Sequence, residues 1–169
     1  MICPLRLRLC RCNTFPPEGD WLEDGYPPHM ASVFTMIING DLPGRFVWKD
    51  EQCVAFLSIN PLAAGHTLVV PRKEIDHWID LDTDLALHLM RVSQKIGVAL
   101  HHGFRPTKVG MMIAGLEVPH VHIHLAPIQG VHDLDFENAD LAPDPDALDA
   151  AADRIRAALR ALGHTEVSD

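Results

Sequence analysis

The chain has no run of 18 apolar residues, so its sequence offers no transmembrane helix. It has no positive excess either: 14 Lys and Arg stand against 23 Asp and Glu, a formal net charge of −9. That balance argues against general nucleic-acid binding and against docking on anionic membranes. A small phosphorylated ligand held by backbone amides and a few cations remains compatible with it. Cysteine is sparse, with four in the chain, and the spacing of Cys3, Cys10 and Cys12 fits no zinc pattern. The acids between Asp133 and Asp149 lack EF-hand spacing, and no internal repeat is present. What remains is ordinary: 47% apolar and 22% charged residues in 169. A chain of that length forms one domain and buries a core without disulfides or metal. The expectation is a cytoplasmic protein with a small-molecule partner, no nucleic acid and no membrane.

The first 29 residues differ from the rest. Leu and Arg alternate at the start, around Cys3, Cys10 and Cys12, and a Pro/Gly-rich stretch follows. No apolar stretch of roughly seven residues marks a signal peptide. Residues 1–29 are therefore expected to be a disordered or vestigial leader, 30–129 the working domain, and 130–169 an acidic loop with a C-terminal helix. A short helix is expected from Val33, stopped at Asn39-Gly40. Strands are expected at 45–49, 53–59, 66–70, 109–114 and 120–126. Leu85, Leu89, Val92, Ile96 and Leu100 recur at helical steps and predict a long amphipathic helix over 82–101. Residues 127–145 read as a loop, and 147–162 as a helix that Gly163 stops. The fold class is α+β: an antiparallel sheet of about five strands, with a long helix, a short N-terminal helix and a C-terminal helix.

Histidine is abundant, with 11 in the chain, and three fall at alternate positions: His120, His122 and His124. Strand side chains alternate faces, so the three imidazoles would share one face, roughly 6.5–7 Å apart. Val121, Ile123 and Leu125 would share the other. Three readings stay open from the residues alone. The run is a half-exposed surface strand, a chelating metal site, or a nucleophilic imidazole with positioning neighbours.

The stretch 120–127, HVHIHLAP, resembles the signature of the histidine-triad (HIT) superfamily. Residues 56–71, FLSINPLAAGHTLVVP, resemble that family's second conserved block, and 32–43, SVFTMIINGDLP, its opening helix. The resemblance covers about 31–129. It implies a HIT-like fold and a hydrolase or transferase acting at the α-phosphorus of a nucleotide conjugate. His122 would be the nucleophile, forming a nucleotidyl-imidazole intermediate. His124 would donate to the phosphate oxygens, and His120 would orient the site, backed by His66 across the sheet. The implied function is a phosphoramidase-type hydrolase releasing a nucleoside monophosphate from a purine nucleotide conjugate, with no cofactor or metal. Alternatives are dinucleoside polyphosphate hydrolysis, a non-catalytic nucleotide-binding role, and a His-ligated metal hydrolase. The family resemblance also implies a homodimer, paired through the long helix and an edge strand.

The chain departs from the family pattern at 115–119, GLEVP, where many members carry Gly-Gln-Ser or Gly-Gln-Thr. Leu116 lacks the amide, and Glu117 puts negative charge beside the expected phosphate. Glu117 lowers the rate, faces away, or acts as acid for a different leaving group. Ser58 stands where Asp or Asn commonly holds ribose hydroxyls. Ser32 and Thr35 stand where some members have a zinc-binding cysteine pair, so no structural zinc is expected there. Phe34, Ile38, Ile59 and Asn60 join Ser58 and Glu117 as candidate substrate contacts. Trp48 and Trp78 are expected in core or dimer packing, and Cys53 in the core. His77, His88, His101, His102, His132 and His164 are expected to be solvated or at helix ends.

Overall fold

The computed structural model describes residues 31–168; the leader expected over 1–29, with Cys3, Cys10 and Cys12, lies outside the described residues. Helix α1 (Val33–Asn39) starts where Ser32 Oγ accepts the Thr35 amide and ends at Gly40, whose φ of 87° suits glycine. Strands β1 (Phe46–Lys49), β2 (Cys53–Leu57) and β3 (Thr67–Pro71) form an antiparallel meander. Asp50 closes the first turn, its Oδ1 accepting the Gln52 and Cys53 amides at 2.8 Å. Helix α2 (Thr83–Phe104) is capped by Asp82. Strands β4 (Lys108–Met112) and β5 (Ile123–Ile128) follow, then helix α3 (Pro145–Ala161) with Asp144 as its cap. The five strands make one antiparallel sheet in the order β1-β2-β3-β5-β4. The architecture is α+β, as the element order predicts.

Alternation along the strands sorts the side chains onto two faces. One face presents Cys53, Ala55, Leu57, Val69, Ile123 and Leu125 to Leu89, Val92 and Ile96 of α2 and to Leu148, Ile155 and Leu159 of α3. Fully burying each large aliphatic side chain contributes roughly 1.5–3 kcal/mol. The other face carries Val54, Phe56, Leu68 and Val70, covered by Phe34 of α1. Helix α3 thus belongs to the main core.

Several boundaries move. Strand β5 begins at Ile123 and not at His120, because the backbone ahead of it pairs with a loop. The His120 amide donates to Val118 O and the Val121 amide to Ile75 O. The stretch 127–145 is not all loop: Pro127 and Ile128 finish β5, and 3-10 turns form at Val131–Leu134 and Phe136–Asn138. Trp48 is in the core at 1% exposure, whereas Trp78 is 51% exposed. Among the described residues no helix is long and apolar enough to cross a membrane.

Candidate active site

A cavity of about 650 Å³ opens on the α1 face of the sheet. Its floor is β2 and β3 through Phe56 and Leu68; its walls are α1 and the turns after β2 and β5. His66, His122 and His124 face into it together. The imidazoles of His122 and His124 lie 4.7 Å apart between centroids, edge to face. That is closer than the roughly 6.5–7 Å repeat of same-face side chains on a regular strand, and His122 lies just ahead of β5.

His120 does not share the cavity. Its ring is fully buried behind it, with Nε2 2.8 Å from the Pro71 carbonyl and Nδ1 2.7 Å from Ser32 Oγ. The expectation of three imidazoles on one open face is corrected here: two line the cavity, and the third anchors the loop that carries them. The expected pairing of His66 with His120 is corrected too. His66 Nε2 lies 3.0 Å from Nδ1 of His124, since Leu68 pairs with His124 in the register of β3 and β5.

The partners fix the tautomers. A carbonyl only accepts, so His120 carries its proton on Nε2 and accepts the Ser32 hydroxyl at Nδ1. The carbonyl of His120 lies 2.8 Å from His122 Nδ1, so that nitrogen holds the proton and the Nε2 lone pair is left to the cavity. His66 Nδ1 accepts the Leu62 amide, so its Nε2–H donates to His124 Nδ1. His124 then presents an Nε2–H donor. Burial keeps this set uncharged. It pushes His66 down to about 4, with the repulsion that a protonated His122 would exert adding to it. It pushes His124 down to about 3, helped by His122 and His66. Burial also lowers His122, against the opposing pull of the His120 carbonyl and Glu117. His120 is lowered by burial against Pro71 O and Glu74.

The remaining expected residues separate. Phe34, Ser58, Ile59, Asn60 and Glu117 all line the cavity. Ser58 Oγ is occupied with its own turn, donating to Asn60 O at 3.1 Å and accepting the Asn60 amide at 3.2 Å. The Ser58 amide donates to His66 O, which ties this turn to the imidazoles. Ile38 does not line the cavity; it packs against the Phe34–Phe56 cluster. Ile37 lines it instead, on the same helical stripe as Val33 and Phe34. His88 is not solvated, since its Nε2 sits 2.9 Å from Asp50 Oδ2.

Sequence reasoning missed the far wall. Phe136 stands edge-on to His124 at 5.1 Å. Its signal was a lone aromatic within an acidic stretch. Arg45 reaches Asp149 of α3 at 2.5 Å on the cavity rim, and no local pattern announces that pair. Glu74 was missed as well: it accepts the Ser32 amide and the Thr35 hydroxyl, bracing the group that holds His120.

The chain matches the HIT domain family over residues 39–131. It belongs to the HIT family. It is 38% identical over 99 residues to an uncharacterized HIT-like protein of Methanocaldococcus jannaschii, covering 56% of this chain and 77% of the relative. Among solved HIT structures, a zinc-bound histidine triad family protein from Mycobacterium smegmatis superposes with a TM-score of 0.67 at 28% identity. That match covers 78% of this chain and 94% of the other. A hypothetical histidine triad nucleotide-binding protein from Sulfolobus tokodaii gives 0.68 at 25% identity, covering 76% and 92%. At Ser32 and Thr35 this HIT chain has hydroxyls engaged with His120 and Glu74. Hydroxyls are not the thiolate, imidazole or carboxylate donors that hold zinc. A zinc ion does not fit those positions.

Proposed function

We propose that this HIT protein is a nucleotide-conjugate hydrolase of the phosphoramidase type, using His122 as nucleophile. One observation carries the reading: the His120 carbonyl holds the proton of His122 on Nδ1, leaving a neutral Nε2 lone pair in an apolar cavity. A related histidine triad protein described as nucleotide-binding supports a nucleotide as ligand. The base would lie among Phe34, Ile37 and Phe56, with Ile59 and Asn60 at the mouth. Nε2 of His122 attacks the α-phosphorus, and the bond to the leaving group breaks with its electron pair. The ring becomes cationic, and the His120 carbonyl accepts a stronger hydrogen bond from Nδ1–H. The Nε2–H of His124 donates to a phosphoryl oxygen. Water then attacks phosphorus, releases the nucleoside monophosphate and returns His122 to its neutral form. The displaced amine and the attacking water exchange protons with solvent.

The metal-hydrolase alternative is disfavoured by the geometry. His120 is turned away, and the facing nitrogens of His66 and His124 are bonded to each other. The test of the main reading is acid quench of the enzyme mixed with a labelled adenosine phosphoramidate. A protein-bound nucleotidyl group is expected, and His122→Ala must abolish it. A labelled adduct persisting in that variant, or turnover without any adduct in the wild type, overturns the assignment. A panel adding dinucleoside polyphosphates separates the two hydrolase readings, and ligand binding without turnover of any substrate would leave only the non-catalytic one.

Two further proposals follow. The protein forms a homodimer: Leu87, Met90 and Val98 of α2 and Met111 of β4 are exposed apolar residues, and β4 is a sheet edge. Light scattering at micromolar concentration should give twice the chain mass. Residues 1–29 are dispensable: deleting them should leave melting temperature and turnover unchanged.

A further inference from the structure

Three side chains unused by this chemistry converge on the opposite face of the sheet. Asp50 closes the β1–β2 turn, Cys53 opens β2, and His88 projects from the second turn of α2. Asp50 Oδ2 lies 2.9 Å from His88 Nε2 and 3.5 Å from Cys53 Sγ, and the three atoms lie within 4.8 Å of one another. With Zn–N and Zn–O near 2.0–2.1 Å and Zn–S near 2.3 Å, a tetrahedral site places neighbouring ligand atoms roughly 3.3–3.5 Å apart. The oxygen–sulfur separation already matches, and the oxygen–nitrogen separation needs to open by roughly 0.4 Å.

The surroundings resemble those of a metal-ligating carboxylate, which is held by outer hydrogen bonds. The Gln52 and Cys53 amides hold Oδ1, and the Trp48 indole N–H donates to Oδ2 at 2.8 Å. Arg72 Nε donates to the Asp50 carbonyl, fixing the turn. Cys53 is fully buried, while the Asp50 and His88 side chains keep 15% and 20% exposure, so the cluster has a solvent side.

We propose that Asp50, Cys53 and His88 bind one zinc-class divalent ion, with a water as fourth ligand. The ion takes the Asp50 carboxylate as it stands. The Cys53 thiol gives its proton to solvent and binds as thiolate. The His88 ring carries its proton on Nδ1, so the Nε2 lone pair binds. One carboxylate and one thiolate neutralise the dication, so the buried cluster carries no net charge. Without the ion, burial and the neighbouring Asp50 push the thiol up, so a thiolate here reports the ion. The ion would clamp the β1–β2 turn to α2. Its effect would reach His120, because Cys53 pairs in register with Pro71, whose carbonyl holds the His120 ring.

The experiment is titration of chelator-treated full-length protein with cobalt(II), read by absorption, then displacement by zinc. One equivalent of cobalt should give tetrahedral d–d bands and a thiolate charge-transfer band. Zinc at a hundredfold excess over its Kd should raise the melting temperature by roughly 5–10 °C. The thiolate band should persist when Cys3, Cys10 and Cys12 are all replaced by serine, and in His122→Ala. It should vanish in Cys53→Ser, and His88→Gln should weaken cobalt binding at least tenfold. If Cys53→Ser does not fold, His88→Gln decides, since its position is partly exposed. Absence of the band, its loss with the three N-terminal cysteines, or unchanged affinity in His88→Gln overturns the proposal.

Discussion

The two faces of the sheet use the same strands for opposite purposes. Toward α2 and α3, β2, β3 and β5 present closely packed aliphatic side chains, with Leu89, Ile96, Ile155 and Leu159 at 0% exposure. Toward α1, the same strands floor a cavity and place neutral imidazoles against Phe34 and Phe136. One residue of offset along β5 separates Ile123, in the core, from His124, in the cavity. Stability therefore resides mainly on one face and the proposed chemistry on the other, and substitutions should divide accordingly.

The largest expected effect is at His122. His122→Ala should lower turnover by at least about 10³-fold, on the order of 4 kcal/mol in the barrier. Its side chain borders the cavity, so thermal melting should change little. Steady-state kinetics and a melt on the same sample check both halves. Next comes the opposite face. Leu89→Ala should cost about 2–5 kcal/mol in stability by denaturant titration. Its kcat, measured where the variant is still folded, should match the wild type. A variant of Leu89 that stays stable but loses kcat would break the division between faces.

The third expectation concerns pH. His66 and His124 ordinarily titrate near 6.5, and burial holds them near 4 and 3. As pH falls below 6.5, the unfolded chain takes up protons that the folded chain refuses. The stability they contribute is complete above about 6.5 and is lost progressively as pH falls from there to about 4 for His66 and about 3 for His124. Melting temperatures between pH 7 and 4 should show this decline, and His66→Gln should flatten it. An unchanged slope in that variant would mean that carboxylates alone account for the loss.

The smallest effect separates two adjacent residues of α1. Ile37→Ala removes a cavity wall and should raise KM several-fold, about 1 kcal/mol of binding. Ile38→Ala should leave KM unchanged and cost stability instead. Equal effects on KM would show that α1 turns on ligand binding.

Much of this division was legible in the sequence. Regular steps from Leu85 to Leu100 specified α2, and the alternation of Val121, Ile123 and Leu125 with histidines told which residues enter the core. The HIT resemblance pointed to His66, His122 and His124, which meet at the cavity, but gave no sign that His120 is buried behind it. What local pattern could not carry was the departure of residues 120–122 from the ladder. That depends on Ile75 accepting the Val121 amide, a long-range hydrogen bond with no local signature. The roles of Phe136, Glu74 and Asp149 were hidden for the same reason. Each meets its partner only after distant segments pack. Likewise, the identity of His88 gave no hint of Asp50, because that contact joins a turn to a helix 38 positions away.

The pairing of His66 with His124 joins positions 58 apart in the chain. Strands β1 to β3 meet through short turns, but β5 reaches β3 only once α2 and β4 lie between them. Closing such a long loop costs entropy that local hairpins avoid. A polypeptide emerging from the ribosome could complete its meander and its long helix while still lacking the imidazole network. Half-made chains would carry a cleft wall without that network, and on the proposed chemistry a chain ending before His122 would lack its nucleophile.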